Sequence, residues 1–237
     1  MRQLLQGKMF APKVDIKEAV RYLGYRKVTP DDDMLRDITA AAREVEQAAA
    51  PRFVCVQFPL MQGDGVLSVA DTTLMLEGKA IARHLKNSRQ CVLMAATLGA
   101  SIDALSRRYQ AISPLRALLA DACANALIED YCDMVQAAAE QEACAADEKL
   151  TWRFSPGYAD LPLTVHRVFL PLLDAQRKIG LAETAQHLLT PQKSVTAIMG
   201  IVSRRSDMPA GGCAECTNRE SCSYTQEDAD ACTERTH

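Results

Sequence analysis

Arg153-Phe154-Ser155-Pro156-Gly157-Tyr158, continued by Ala159-Asp160-Leu161-Pro162-Leu163, is the stretch from which the rest of the chain is read. Arg153 carries a planar cationic fork that can hold a carboxylate through two parallel hydrogen bonds. Pro156 fixes its own φ and biases Ser155 towards an extended shape. Gly157 permits a turn that a side chain would oppose, and lets a ligand approach the backbone closely. Tyr158 adds a ring face and a hydroxyl. A stiff loop of this kind suits a small zwitterion better than a polymer. The same residues also have a plain reading: Pro-Gly marks a turn, and an arginine and a tyrosine beside a turn commonly do no more than pack and hydrogen-bond locally.

Downstream lie a Pro-started amphipathic segment ending Lys178-Ile179-Gly180, then Leu181, Thr184, Pro191 and Ser194-Val195. Together with Arg-x-x-Pro-Gly-Tyr, these residues resemble the activation (reactivation) domain of cobalamin-dependent methionine synthase, in a stand-alone form. The resemblance is most specific over residues 121–200, is recognisable over 16–119, and does not extend past Ser203. It implies binding of S-adenosylmethionine and a part in the reductive remethylation of inactive cobalamin.

Carried over residue by residue, the resemblance gives Arg153 the methionine carboxylate and Asp121 the ammonium. Tyr158 packs against the ligand, and the backbone around Ser155 and Gly157 supplies hydrogen bonds. No nucleophile or general base is required, because the cobalt of the corrin attacks the methyl group. The family's Asp-x-His-x-x-Gly cobalamin signature is absent from this sequence. The corrinoid is therefore expected on a separate methyltransferase protein, with an electron donor such as flavodoxin or ferredoxin. Phe154 and Ser155 depart from the family pattern, which a backbone contact tolerates, and a second family acid has no counterpart here. Two other classes remain open: an iron–sulfur electron-transfer protein that reduces a corrinoid protein, and a scaffold that binds S-adenosylmethionine without catalysis.

Composition bounds these readings. The 237 residues are 48% hydrophobic and 24% charged, enough for a substantial core in a globular chain. A net charge of -3, with no basic run interleaved with aromatics, gives no reason to expect nucleic acid. Met1 to Ala11 has basic residues but no apolar core leading to a small-residue cleavage site, and no apolar run is long enough to span a bilayer. The expectation is a cytoplasmic protein with no membrane partner.

The cysteines form two populations. Cys55, Cys91, Cys123, Cys132 and Cys144 sit in apolar surroundings, where free thiols act as small hydrophobes. Cys213, Cys216, Cys222 and Cys232 crowd into a polar tail. One C-x-x-C pair with two further cysteines can close around zinc or an iron–sulfur cluster, or stay reduced and unliganded. A metal held by these four cysteines is the expectation, and the sequence does not choose between zinc and the cluster.

In chain order, Asp15 is placed to cap a short helix ending at Gly24, and Thr29-Pro30 to start a second with Asp31 to Asp33 in its first turn. Arg52 to Phe58 reads as a strand closed by Pro59, with short strands at 66–69 and 73–76 and a short helix after Gly78. Cys91 to Leu98 reads as the buried centre of a sheet, its end at Thr97 and Gly99 open to a ligand. Ser101 and Ser113-Pro114 are placed to start helices, the second with an apolar stripe of Leu115, Leu118, Leu119, Ala122, Ala126, Tyr131 and Val135. On residue type alone, Asp121 faces solvent. Trp152 to Phe154 reads as a strand, and Pro162 begins a helix whose buried stripe runs from Val165 to Ile179. His166 and His187 are expected to be surface or structural residues, and Ser194 to Val202 a further strand. Lys193 and Ser194 stand where they could assist a ligand's entry.

The whole is an α+β fold, a mixed, mainly antiparallel sheet flanked by helices. Residues 1–50 form an N-terminal helical segment packed on the main domain, 51–203 the S-adenosylmethionine-binding domain, and 204–237 the cysteine-rich tail.

Overall fold

The computed structural model describes residues 2–7, 11–25, 28–63, 66–203 and 207–209. In order, the elements are β1 (Arg2–Gly7), α1 (Ile16–Tyr22), α2 (Asp32–Ala48), β2 (Arg52–Gly63), β3 (Val66–Val69), β4 (Met75–Leu76), α3 (Lys79–His84), β5 (Gln90–Thr97), α4 (Ala100–Ile112) and α5 (Pro114–Ala143). Then follow β6 (Lys149–Leu150), a 3-10 turn (Leu163–Val165), α6 (His166–Leu173), α7 (Ala175–Ile179), β7 (Ala182–Glu183), β8 (Leu189–Thr190) and β9 (Ser194–Val202).

The main sheet has seven strands in the order β4-β3-β2-β5-β9-β6, with β1 also paired to β2. Every strand pairing among the described residues is antiparallel. Strand side chains alternate between faces, so each face builds its own core. Phe53, Cys55, Val92, Met94, Ala96, Ala197 and Met199 face a layer made by α1, α2, α4 and α5. Val54, Val56, Leu93, Ala95 and Ile198 face the second layer, where α3, α6 and α7 pack. β5 is the centre, and from Cys91 to Thr97 its residues are buried, which is why it reads as an unbroken apolar run.

Several starts and stops follow from local chemistry. The Asp15 carboxylate accepts from Lys17 and Glu18 amides, and Asp31 from Met34, each satisfying N–H groups that a helix start leaves without partners. Ser113 caps α5 through the Arg116 amide, with Pro114 in the first turn. Ser101 does not cap: Gly99 stands at the start of α4, and Ser101 Oγ donates to the Ala48 carbonyl at 2.5 Å.

Other departures have physical reasons. The chain opens with strand β1, which lacks clean alternation and is held by the edge of β2. β2 runs through Pro59 because its partners change there: β5 pairs up to Pro59, and β3 pairs from Leu60 onward. Leu115 and Leu118 are exposed (45% and 56%), since the first turns of α5 overhang the core, while Leu119 and the later stripe are buried. The helix after Pro162 is two helices, because Asp174 takes a left-handed conformation (φ 54°) between α6 and α7. Asp64 and Gly65, and the tail from 210 onward, lie outside the described residues. Among the described residues, no helix is long and apolar enough to cross a membrane.

Leu93 is fully buried at mid-sheet, paired with Val56 on one side and Ile198 on the other. Leu93→Ala is expected to lower stability by about 2–5 kcal/mol through lost burial and a residual cavity, measured by urea unfolding.

Candidate functional site

The Arg153 loop follows the edge of the sheet. β6 pairs with the end of β9, and the chain stays alongside it: the Thr151 amide donates to Gly200 O, and Phe154 bridges Ile198 through both backbone groups. Between Leu150 and Phe154 the chain takes four steps while β9 takes three, from Ile201 to Ile198, so strict alternation is broken there. Trp152 and Phe154 point into the second layer, where Tyr158 packs edge-on against both, at centroid distances of 6.0 and 5.3 Å. Arg153 points the other way, onto α5.

There the guanidinium meets a polar ridge. Nη1 donates to Asp133 Oδ1 (2.7 Å) and Gln136 Oε1 (3.0 Å), and Nη2 donates to Glu129 Oε2 (3.1 Å). The arginine side chain is 17% exposed. Burial opposes its charge, but Cys132, Asp133 and Glu129 together hold its pKa above the ordinary arginine value. Three of the five guanidinium N–H groups are thus engaged, and Nε–H and one Nη2–H have no hydrogen-bond acceptor among the described residues.

Asp121 lies on the same ridge but at another station. Its carboxylate pairs with Lys193 Nζ at 2.7 Å, and Lys193 also donates to Asn125 Oδ1 at 2.6 Å. The side chain is half-exposed, so its surroundings include both solvent and a partner. Eight residues separate Asp121 from Glu129, about 12 Å along the helix axis. The structure therefore brings Arg153 together with Glu129, Asp133 and Gln136, not with Asp121. It places Tyr158 in the other layer from both.

The loop is a pair of consecutive turns. The Tyr158 amide donates to Ser155 O (3.0 Å), the Leu161 amide to Tyr158 O (3.1 Å), and the Gly157 amide to Leu161 O (2.7 Å). The amides of Gly157 and Tyr158 are accordingly used inside the protein. Gly157 sits at φ 90°, a backbone conformation that side chains resist, and a Cβ there would also press on Leu163 Cδ2 at 2.9 Å.

Two other expected approaches are filled by the chain itself. At the end of β5, the Ala50 amide bonds Leu98 O, and the Ala50 carbonyl would lie 3.2 Å from a Cβ at Gly99, so the edge expected to admit a ligand is covered. Ser194 Oγ lies 2.6 Å from Pro191 O and 2.8 Å from Thr97 Oγ1, joining the ends of β9 and β5.

The histidines are structural. His166 is buried between Thr196 Oγ1 (2.9 Å) and the His187 carbonyl (2.8 Å), and His187 Nδ1 lies 2.6 Å from Glu183 Oε2. A third, His84, was not singled out by any sequence pattern. It is 3% exposed, with Nε2 2.9 Å from Thr151 Oγ1. Cys55, Cys91, Cys123 and Cys132 are buried free thiols as expected, and burial raises the pKa of each, that of Cys132 to about 12, which keeps them protonated and unreactive. Cys213, Cys216, Cys222 and Cys232 lie outside the described residues, and among the described residues no group of three or more metal-ligating side chains assembles.

The architecture is an antiparallel sheet between two helical layers. It is the fold of the methionine synthase reactivation domain. The chain superposes on a crystal structure of the MetH reactivation domain bound to AdoHcy with a TM-score of 0.61, at 14% identity, over 89% of this chain and 79% of that one. At that identity the likeness is one of fold. No protein-family profile matches the chain, and no curated protein is similar to it in sequence.

His84 generates a test of this packing. Burial lowers its pKa from the ordinary 6.5 to about 4, so in the folded protein it stays neutral where an unfolded histidine takes up a proton. The unfolded state binds the extra proton between those values, so stability is full above pH 6.5 and falls as the pH drops towards 4. Burial shifts His166 in the same direction. His84→Gln, which cannot titrate, is expected to flatten part of that loss in denaturant unfolding measured across the window.

Proposed function

We propose that this protein binds S-adenosylmethionine and supports the reductive methylation of cob(II)alamin carried by a separate corrinoid protein, in the manner of a methionine synthase reactivation domain. One observation carries the reading: the Arg153-x-x-Pro156-Gly157-Tyr158 turn lies on the edge strand of a sheet whose fold matches a domain solved with AdoHcy. Its chemistry also fits. The unengaged Nε–H and Nη2–H of Arg153 can take a carboxylate, and Glu129 and Asp133 beside them suit an ammonium.

This revises the sequence-based assignment in one respect. The carboxylate and ammonium of an amino acid sit on one carbon, so groups about 12 Å apart along a helix cannot hold both. Arg153 keeps the carboxylate in this proposal, Glu129 or Asp133 takes the ammonium, and Asp121 with Lys193 is left to a more distant, hydroxyl-bearing part of the ligand. Tyr158, Ser155 and Gly157 act through the shape of the turn, which the Tyr158 ring holds by packing on Trp152 and Phe154.

In the reaction, one electron from a donor converts cob(II) to cob(I), whose cobalt takes the methyl group from the sulfonium, leaving the thioether S-adenosylhomocysteine. The irreversible transfer traps a reduced species that is otherwise scarce. The protein's share is to bind, orient and shield the methyl donor.

Calorimetric titration of the full chain with S-adenosylmethionine tests the binding. Arg153→Ala is expected to weaken affinity at least about tenfold, the scale of a lost charged two-point contact. Absence of binding in the wild type, or unchanged affinity in the variant, overturns the proposal. Binding without methylcobalamin formation, when a cob(II)alamin-loaded partner and a reductant are supplied, leaves a binding scaffold in place of a reactivating component.

A further inference from the structure

We infer that helix α3 is the positioning element of the Arg153–Tyr158 turn, gripping it at both ends through Asp160 and His84; the consequence for ligand affinity rests on the binding reading above. At the start of α3, the Asp160 carboxylate accepts from the amides of Lys79 and Ala80, with Ala80 N 3.1 and 3.2 Å from its two oxygens. Asp160 thus caps a helix some 80 residues earlier in the chain, and its charge complements the partial positive charge of the helix start. The approach is tight. Gly78 precedes the helix at φ 138°, and a Cβ there would stand 2.5 Å from Asp160 Oδ1 and 3.2 Å from its carbonyl.

At the other end of α3, His84 bonds Thr151 Oγ1, which in turn accepts from the Gly200 amide at 2.8 Å. The imidazole also packs against Trp152, at 4.2 Å between centroids, and Phe154, at 5.2 Å. Thr151 and Asp160 bracket the turn in sequence, and one six-residue helix, about 9 Å long, spans the two contact points. Ile81 and Leu85 anchor it in the second core, both fully buried. A short rigid element fastened to a buried core and to both flanks of a turn removes most of the turn's freedom before any ligand arrives. The contacts at the Thr151 end run through the His84 imidazole, and those at the other end through the Asp160 carboxylate.

The test compares Asp160→Ala, Asp160→Asn and His84→Gln in the full chain, by amide hydrogen exchange without ligand and by S-adenosylmethionine titration. In Asp160→Ala, the turn amides of Gly157, Tyr158 and Leu161 are expected to exchange at least about tenfold faster while those of β5 keep their rates, a local opening and not a global one. Affinity for S-adenosylmethionine falls with them. Asp160→Asn, which keeps an acceptor oxygen, restores both. His84→Gln speeds exchange at the same amides. Wild-type exchange rates in the turn of Asp160→Ala, or equal acceleration in the turn and in β5, overturn the inference. If the wild type itself binds no S-adenosylmethionine, the functional reading fails alone, and the exchange pattern still decides the role of α3. Should Asp160→Ala not fold, Gly78→Ala, which pushes the carboxylate off the helix start, takes its place with the same readouts.

Discussion

The antiparallel run of residues 149–154 along β9 is the constraint on which the candidate site depends. Thr151 and Phe154 hydrogen-bond to Gly200 and Ile198, with one residue more between them than β9 has between its partners. That irregularity lets Thr151, Trp152 and Phe154 serve the second layer while Arg153 turns onto α5. The pairing is thus what lets a largely buried guanidinium find Glu129 and Asp133. A charge so placed without partners would be strongly unfavourable, and with them it keeps two N–H groups directed elsewhere.

α5 is the counterpart of that edge. Its buried face closes the first core through Leu119, Cys123, Leu127, Tyr131 and Val135, while Asp121, Asn125, Glu129 and Asp133 recur every four residues beside it. Four residues turn a little more than one full helical revolution, so the polar ridge winds slowly around the helix. Lys193 meets it early and Arg153 late. Two cations from the same side of the sheet are thereby held apart, which explains why a single hollow shared by Arg153, Asp121 and Tyr158 does not form.

Much of the fold was legible because burial on both faces leaves a strong mark. The Cys91 to Leu98 run, the caps at Asp15 and Ser113, and the buried thiols all rest on local pattern or local chemistry. The failures share a different origin. Leu115 and Leu118 keep the helical period of buried residues, but among the described residues nothing covers them, and period alone does not report where a neighbour ends. The helix from His166 to Ile179 keeps its stripe across Asp174, so its break is invisible to periodicity. β1 needs the edge of β2 to exist at all.

The candidate site divides along the same line. Arg153, Pro156, Gly157 and Tyr158 could be singled out because a stiff turn is encoded locally, and Gly157 indeed occupies a conformation that side chains resist. What surrounds the turn is encoded by separation: Asp160 reaches Ala80, His84 reaches Thr151, and Arg153 reaches Asp133, across 80, 67 and 20 residues respectively. Each of these contacts joins a polar group that is unremarkable in sequence to one that becomes its partner only after the sheet has closed. The turn is thus encoded locally and its support at a distance. The fold that brings the two together is one the chain shares, at 14% identity and over 89% of its length, with a solved domain.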